Sequence, residues 1–327
     1  MANVLGIDIG HDRLKMVLVS GGKIKKTVVV ETPENLLKDG VVVSQETMGE
    51  FIRETMKENG ISASKAAIVL NGERVYVRNV TMPLMNADQL LYNLPYEFRD
   101  YITEELKDYM FDYAMRSVDE EENTMDVLAA AVPKALIDDV RAVLRKAGLK
   151  LVKAAPILSS YRALIRDYEK THPTRDYLIL NLGYRSIRVD VFHGDEYLAT
   201  HVLDIGLRNV DTVLAESMGV DEHIAHTYLL TNHKDCQNSM ECKNAFTNIA
   251  VELMRTMNFL RYSMQDNDLD EIWVCGGGAN IPNLRDAIAE HLEAPVYSAW
   301  EKFCGADHSR QQEGDSILQT VGILKDL

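Results

Sequence analysis

Asp8-Ile9-Gly10-His11-Asp12-Arg13-Leu14-Lys15 and Asn181-Leu182-Gly183-Tyr184-Arg185-Ser186-Ile187-Arg188 align without a gap at a constant spacing of 173 residues. Each stretch follows an apolar run (4–9 and 177–182), and each continues into a second run that ends in a glycine turn, Ser20-Gly21-Gly22 or His193-Gly194-Asp195. A third run then follows, over 25–30 and 197–203. Short runs joined by tight glycine turns are the pattern of antiparallel strands, so each stretch opens a β-meander. Gly10 and Gly183 stand at the first turn, where the lack of a side chain lets a ligand come close to the backbone. Two unrelated hairpins would share a glycine easily. They would not also share a polar tip residue (Asp8, Asn181) and a cation at the same place on the second strand (Lys15, Arg188). The repeat therefore predicts two homologous domains, each opening with the same hairpin.

The length of 327 residues suits two such domains, since one core rarely grows past roughly 250–300 residues. With 46% hydrophobic residues and only 8 prolines, the chain has the composition of a packed protein rather than a disordered one. A net charge of -15 argues against nucleic-acid binding by bulk electrostatics. It leaves room for a nucleotide whose phosphates are held by backbone N–H groups, a divalent cation and a few placed side chains. No apolar stretch approaches the roughly 20 residues that cross a bilayer. The start of the chain lacks a basic signal-type segment, which points to the cytoplasm. Four cysteines (Cys236, Cys242, Cys275, Cys304) are too few for a disulfide framework. Cys236 and Cys242 with His233 nearby lack the further ligands of a zinc site, and an ordinary polar loop is the expectation there.

Between the two repeats, apolar spacing predicts a helix over 46–59 and a buried strand over 66–70. A change of texture after Pro83 introduces a helix over 87–101, strands over 110–116 and 126–132 joined by an acidic turn, a helix over 134–147 and a strand over 149–154. These form an αββαβ unit of the size of an inserted subdomain. Late in the chain, apolar residues at 246, 249, 253, 257, 260 and 264 predict a long helix. A strand over 271–275, the run Gly276-Gly277-Gly278-Ala279-Asn280 and a helix reaching about Leu292 follow. Three glycines between a buried strand and a helix let the backbone meet a flat or charged ligand. Neither the Rossmann nor the P-loop spacing is present.

Two Asx-apolar-Gly hairpins and a late strand, Gly-Gly-Gly-Ala-Asn turn and helix together resemble the phosphate-1, phosphate-2 and adenosine motifs of the actin-like ATPase fold. Within that fold the chain resembles the PilM family of type IV pilus assembly proteins and, more distantly, the FtsA family. The resemblance rests on Gly6-Ile-Asp8-Ile-Gly10 with Lys15, the αββαβ insertion, Gly276 to Leu284 with Ala294-Pro-Val296, and Thr320-Val-Gly322 near the end. It implies an α/β architecture of two duplicated ribonuclease-H-like domains. Residues 1–83 would be the first part of subdomain 1A, 84–153 the inserted 1C-type subdomain and 154–174 the return to 1A. Residues 175–312 would be the second domain, and 313–327 a helix returning to 1A.

The same resemblance implies ATP with Mg²⁺. Gly10, His11, Asp12 and Lys15 would face phosphates from the first domain, and Gly183, Tyr184, Arg185 and Gly206 from the second. Asp8 and Asn181 would hold the cation through water. Gly276, Gly277, Gly278 and Asn280 would meet the adenosine, with Glu252 or Arg255 at the ribose. For Glu252 and Arg255 an ordinary i,i+3 helix pair is the plain alternative, as is a strand cation for Lys15 and Arg188.

Three departures from the family pattern bear on chemistry. Asn181 stands where an aspartate is usual, 153–160 has no carboxylate where relatives position water, and Gly206 stands alone where a glycine pair is common. Phosphoryl transfer needs aligned water and neutralised charge, so slow or absent hydrolysis is expected. The implied function is a scaffold at the inner face of the cytoplasmic membrane. It would receive the cytoplasmic N-terminal peptide of a PilN-like membrane protein in a groove or at a sheet edge, beside other pilus components and with self-association open. The overall acidity favours a partner with basic flanks. The alternatives are a small-metabolite kinase on the same fold and an FtsA-like filament former. The ending Gly322-Ile-Leu-Lys-Asp-Leu327 lacks the basic amphipathic helix that direct anchoring would use.

Overall fold

Two five-stranded sheets of one plan carry the chain in the computed structural model, which describes residues 3–38, 40–71, 75–263, 271–305, 311–325 and 327. The first sheet holds the meander β1 (Val4–Ile9), β2 (Arg13–Ser20) and β3 (Lys23–Glu31). A two-stranded ribbon, β4 (Leu37–Lys38) and β5 (Val41–Val42), leads to helix α1 (Gln45–Glu58) and β6 (Lys65–Leu70). Ser44 caps α1 by accepting from the Thr47 N–H. After an excursion through β7 (Tyr76–Pro83), α2 (Ala87–Asn93), β8 (Tyr109–Asp119), β9 (Thr124–Pro133) and α3 (Lys134–Lys146), the chain returns as β10 (Lys150–Pro156) and α4 (Ile157–Tyr168). The sheet order is β10-β6-β1-β2-β3.

The second sheet holds the meander β11 (Asp176–Leu182), β12 (Ile187–His193) and β13 (Glu196–Leu203). Helices α5 (Leu207–Met218), α6 (Glu222–Thr231) and α7 (Met240–Ser263) precede β14 (Ile272–Cys275). Then come α8 (Pro282–Leu292), β15 (Val296–Ser298), α9 (Ala299–Cys304) and α10 (Gln311–Gly322). The order is β13-β12-β11-β14-β15, the first sheet read from its other edge. The duplication extends to register. Asp8 lies opposite Lys15 and Asn181 opposite Arg188, while the parallel neighbours pair Ile7 with Ile68 and Leu180 with Val274. Strands buried on both faces explain why Ile-Trp-Val-Cys275 has no polar alternation.

Two compact units divide the chain, Met1–Ala163 with Gln319–Leu327, and Leu164–Leu318. The divisions expected after residues 174 and 312 thus fall inside α4 and α10. In the first unit Leu5, Ile7, Met16, Ile52, Ile68 and Leu144 belong to one core, closed by α1 and α3. In the second, β11, β12 and β14 pack against α5, α7 and α8 through Leu180, Val189, Leu253 and Ile288.

The inserted unit needs correction. A separate three-stranded sheet, β7-β9-β8, begins at Tyr76 rather than 84, and β7 itself was not read from the sequence. The expected order α, β, β, α, β is present, but its last two elements belong elsewhere: α3 joins the core of the large sheet and β10 is that sheet's edge. The helix expected over 87–101 stops at Asn93 and gives way to a 3-10 turn over Leu94–Phe98, because Pro95 supplies no N–H. The long late helix starts earlier than expected, at Met240, and Met264 lies outside the described residues.

Candidate functional site

At the first hairpin Asp8 is the penultimate residue of β1 and is 1% exposed. Cross-strand pairing puts Lys15 opposite it, and Lys15 Nζ donates to Asp8 Oδ2 at 2.9 Å. The other oxygen, Oδ1, accepts from the Asn71 side-chain amide at 2.6 Å. Asn71 follows the last residue of β6, the parallel neighbour of β1. The turn itself is drawn tight: Gly10 N–H donates to the Arg13 carbonyl at 3.0 Å, and the Thr32 hydroxyl donates to the Gly10 carbonyl at 2.8 Å. Asp12 accepts from Arg13 Nε, and its carbonyl accepts from Thr32 N–H. The His11 ring lies beside Gly40.

The second hairpin repeats this backbone. A β-carbon at Gly10 would lie 2.9 Å from the Arg13 carbonyl oxygen, and one at Gly183 would lie 2.5 Å from that of Ser186, its partner at the same spacing. Gly206 rests on the turn so closely that a β-carbon there would sit 2.4 Å from the Tyr184 carbonyl oxygen. The N–H groups of Leu207 and Arg208 donate to the Gly183 and Tyr184 carbonyls, so the start of α5 is bonded to the hairpin. Tyr184 meets the buried His226 ring edge-on at 5.1 Å, and His226 bonds Asp211. Arg185 is exposed.

Asn181 is brought to the glycine run. Gly276 has φ of +86°, and a β-carbon on it would lie 2.4 Å from Asn181 Oδ1, so only glycine fits. Gly278 packs against Leu182, whereas a β-carbon on Gly277 would meet, among the described residues, only Leu207, at 3.9 Å. Asn280 donates to the Ser316 hydroxyl, and Gly276 N–H donates to the Asp315 carbonyl. Asn181, Gly183, Tyr184, Gly206 and Gly276 to Asn280 thus form one constellation in the second unit. Asp8, Gly10, Asp12 and Lys15 form its counterpart in the first.

Not every expected residue joins them. Glu252 and Arg255 bond each other as an exposed i,i+3 pair on α7, the plainer alternative. Arg188, although opposite Asn181, turns its guanidinium to the fully buried Asp190 on its own strand, with Nε 2.9 Å from both carboxylate oxygens. Where Lys15 bonds Asp8 across the strands, Arg188 thus bonds a carboxylate of its own strand. Cys236 and Cys242 are buried, and burial pushes both thiols up. Asn71, Asp190 and Asp315 were missed. Only Asn71 gave a signal, a lone polar residue closing an apolar run.

A second feature lies wholly within the first unit. A cavity of about 490 Å³ is lined by β8 residues Met110 to Ala114, the β9 residues Leu128, Ala130 and Val132, and β10 residues Leu151 to Pro156. Among the described residues both β8 and β10 are edge strands, the position at which a sheet can accept a further strand. On β9 the alternation sends Val127, Ala129 and Ala131 to the core under α2 and leaves Leu128, Ala130 and Val132 for the groove. Arg141, Lys153 and Arg162 line it with one carboxylate, Asp112. The local charge is thus opposite to the overall acidity from which a partner with basic flanks was expected.

Twin meander sheets, each extended by parallel strands and carrying a glycine hairpin at the end of its first strand, are the architecture of the actin-like ATPase fold. The chain is similar to the solved structure titled PilM-PilN type IV pilus biogenesis complex, at 22% identity over 98% of this chain and 97% of that one, with a TM-score of 0.83. It is similar also to the ethanolamine utilization protein EutJ from Carboxydothermus hydrogenoformans (15% identity, 99% and 89% covered, TM-score 0.64). A third likeness is to the activator of the 2-hydroxyisocaproyl-CoA dehydratase from Clostridium difficile with bound ADPNP (12%, 99% and 93%, TM-score 0.50). The family model described as type IV pilus assembly protein PilM matches residues 6–319, and the chain belongs to that family.

Proposed function

We propose that this protein is a nucleotide-binding scaffold of type IV pilus assembly that docks the cytoplasmic N-terminal peptide of a PilN-like membrane protein in the groove between β8 and β10. The observation that carries the docking is the groove itself. It has an apolar floor and is walled by two strands that are sheet edges among the described residues, so an extended peptide can gain main-chain hydrogen bonds and side-chain pockets together. The solved complex to which the chain is similar contains a PilN partner. Among the described residues no helix is long and apolar enough to cross a membrane, and the partner supplies the attachment to the inner face of the cytoplasmic membrane.

For the nucleotide, the residues fit the group. The Gly276 turn is a cradle that a β-carbon would fill, and Asp8 and Asn181 offer the oxygen donors that Mg²⁺ takes, here through water. Gly10, Lys15, Gly183 and Tyr184 would hold phosphates, and Gly277 and Gly278 the adenosine. Mg²⁺ would neutralise phosphate charge. No carboxylate stands over 153–160 to orient water, so turnover is slow or absent.

The test uses two ligands. A synthetic peptide of the partner's cytoplasmic N-terminus should bind with micromolar affinity, and Ala130→Phe should abolish binding by filling the groove floor. ATP with Mg²⁺ should raise the melting temperature, and Gly277→Glu, which has room to fold, should remove that rise. Equal peptide affinity in Ala130→Phe overturns the docking site. An unmoved melting curve in the unmutated protein overturns the nucleotide.

A further inference from the structure

The register of the two sheets assigns a position that neither repeat motif contains. Ile7 pairs with Ile68 and Leu180 with Val274, and Ile7 and Leu180 are themselves equivalent. Three residues on from Ile68 and Val274 stand Asn71 and Gly277. The same point of the fold, just past the parallel neighbour of the first strand, is thus bare in one unit and carries an amide in the other. In the second unit it belongs to the glycine turn. In the first, the Asn71 amide donates to Asp8 Oδ1 at 2.6 Å while Lys15 holds Oδ2.

We propose that Asn71 is a positioning residue that fixes the Asp8 carboxylate for the divalent cation of a bound nucleotide; this rests on the nucleotide reading above. A carboxylate held on one oxygen only swings about its Cβ–Cγ bond. Held on both, it presents one orientation. The choice of amide matters. A second cation beside Asp8 would repel Mg²⁺, whereas a neutral donor orients the carboxylate and leaves its charge available. Asn71 is exposed and follows the end of β6, so its replacement spares the core.

The experiment titrates Mg²⁺ at saturating ATP and reads the melting temperature, with ATP in excess EDTA and the ligand-free protein alongside. In Asn71→Ala the Mg²⁺ concentration giving half of the rise should increase about tenfold, the size expected for one hydrogen bond to a charged group. The rise with ATP in EDTA should match the unmutated protein. Asn71→Gln, which keeps the amide donor, should lie within about threefold of it. A lowered ligand-free melting temperature with an unaltered Mg²⁺ midpoint would mean a structural role and overturn the assignment. If the unmutated protein shows no rise with ATP, the nucleotide reading fails and the assignment falls with it. A rise in the unmutated protein with the same Mg²⁺ midpoint in Asn71→Ala overturns the assignment alone.

Discussion

Asp315 joins α10 to the glycine turn through its backbone, which accepts from Gly276 N–H, and to α9 through its side chain, which accepts from the Trp300 N–H at 2.8 Å. Burial lifts its carboxyl from the ordinary 3.8 to about 6, against the opposing pull of the Trp300 N–H and the Ser298 side chain. A carboxyl raised in the folded state keeps a proton that the unfolded chain has already released. Its contribution to stability therefore falls as pH rises from about 4 to about 6, then levels off. Asp315→Asn keeps an acceptor and removes the titration. Between pH 4.5 and 7.5 the unmutated protein should lose about 2 kcal/mol relative to Asp315→Asn, read as the difference between their urea unfolding free energies at each pH. A difference that does not vary with pH would mean that Asp315 ionises as it does in water. At this scale the sequence was legible where a residue recurs or where glycine is required: Gly10, Gly183, Asp8 and the run from Gly276. It was silent on Asp315 and faint on Asn71, because both act on partners 15 or more residues away and sit in no repeated pattern.

The β12–β13 pair shows where the repeat diverges between elements. Arg188 and Asp190 share one face of β12, and Thr200 on β13 lies opposite Asp190, donating to it while accepting from Arg188 Nη2. Tyr197 joins the same group through a side-chain hydrogen bond with Thr200. Asp190→Ala leaves the partly buried guanidinium without its carboxylate, and should cost about 3 kcal/mol in urea unfolding. The double variant Arg188→Met with Asp190→Leu should recover most of that and keep the melting rise with ATP. Loss of the rise in that double variant would return Arg188 to the ligand. Helices with one buried face were legible from spacing, as for α1 and α3, and β1 from its apolar run. The three-stranded sheet was legible only in part. Tyr76–Pro83 mixes exposed and buried residues without strict alternation, and its strand character comes from pairing with β9. Likewise β10 follows α3 directly in sequence, yet its hydrogen bonds are with β6, a choice that no local pattern records.

For the whole molecule, the duplication at a spacing of 173 residues was enough to announce two sheets of one plan, because strand order and register repeat together. Net charge was a poorer guide, since a chain at -15 still lines its groove with Arg141, Lys153 and Arg162. The groove and the first-unit part of the proposed nucleotide site meet in one dipeptide. Leu70 lines the groove, and Asn71 beside it holds Asp8. On the proposed reading, a nucleotide whose cation engages Asp8 would also fix Asn71, and so restrict the end of β6 beside the proposed peptide groove. Ordering that is already paid for by the first ligand lowers the cost of the second. ATP with Mg²⁺ should therefore tighten peptide binding by about fivefold, and by linkage the peptide should tighten nucleotide binding by the same factor. Isothermal titration of the peptide with and without ATP measures the first, and titration of ATP with and without the peptide measures the second. In Asn71→Ala both factors should fall to within about twofold of unity, while the peptide still binds the nucleotide-free protein as before. Equal peptide affinities in the two states of the unmutated protein would show that the end of β6 serves the two sites independently.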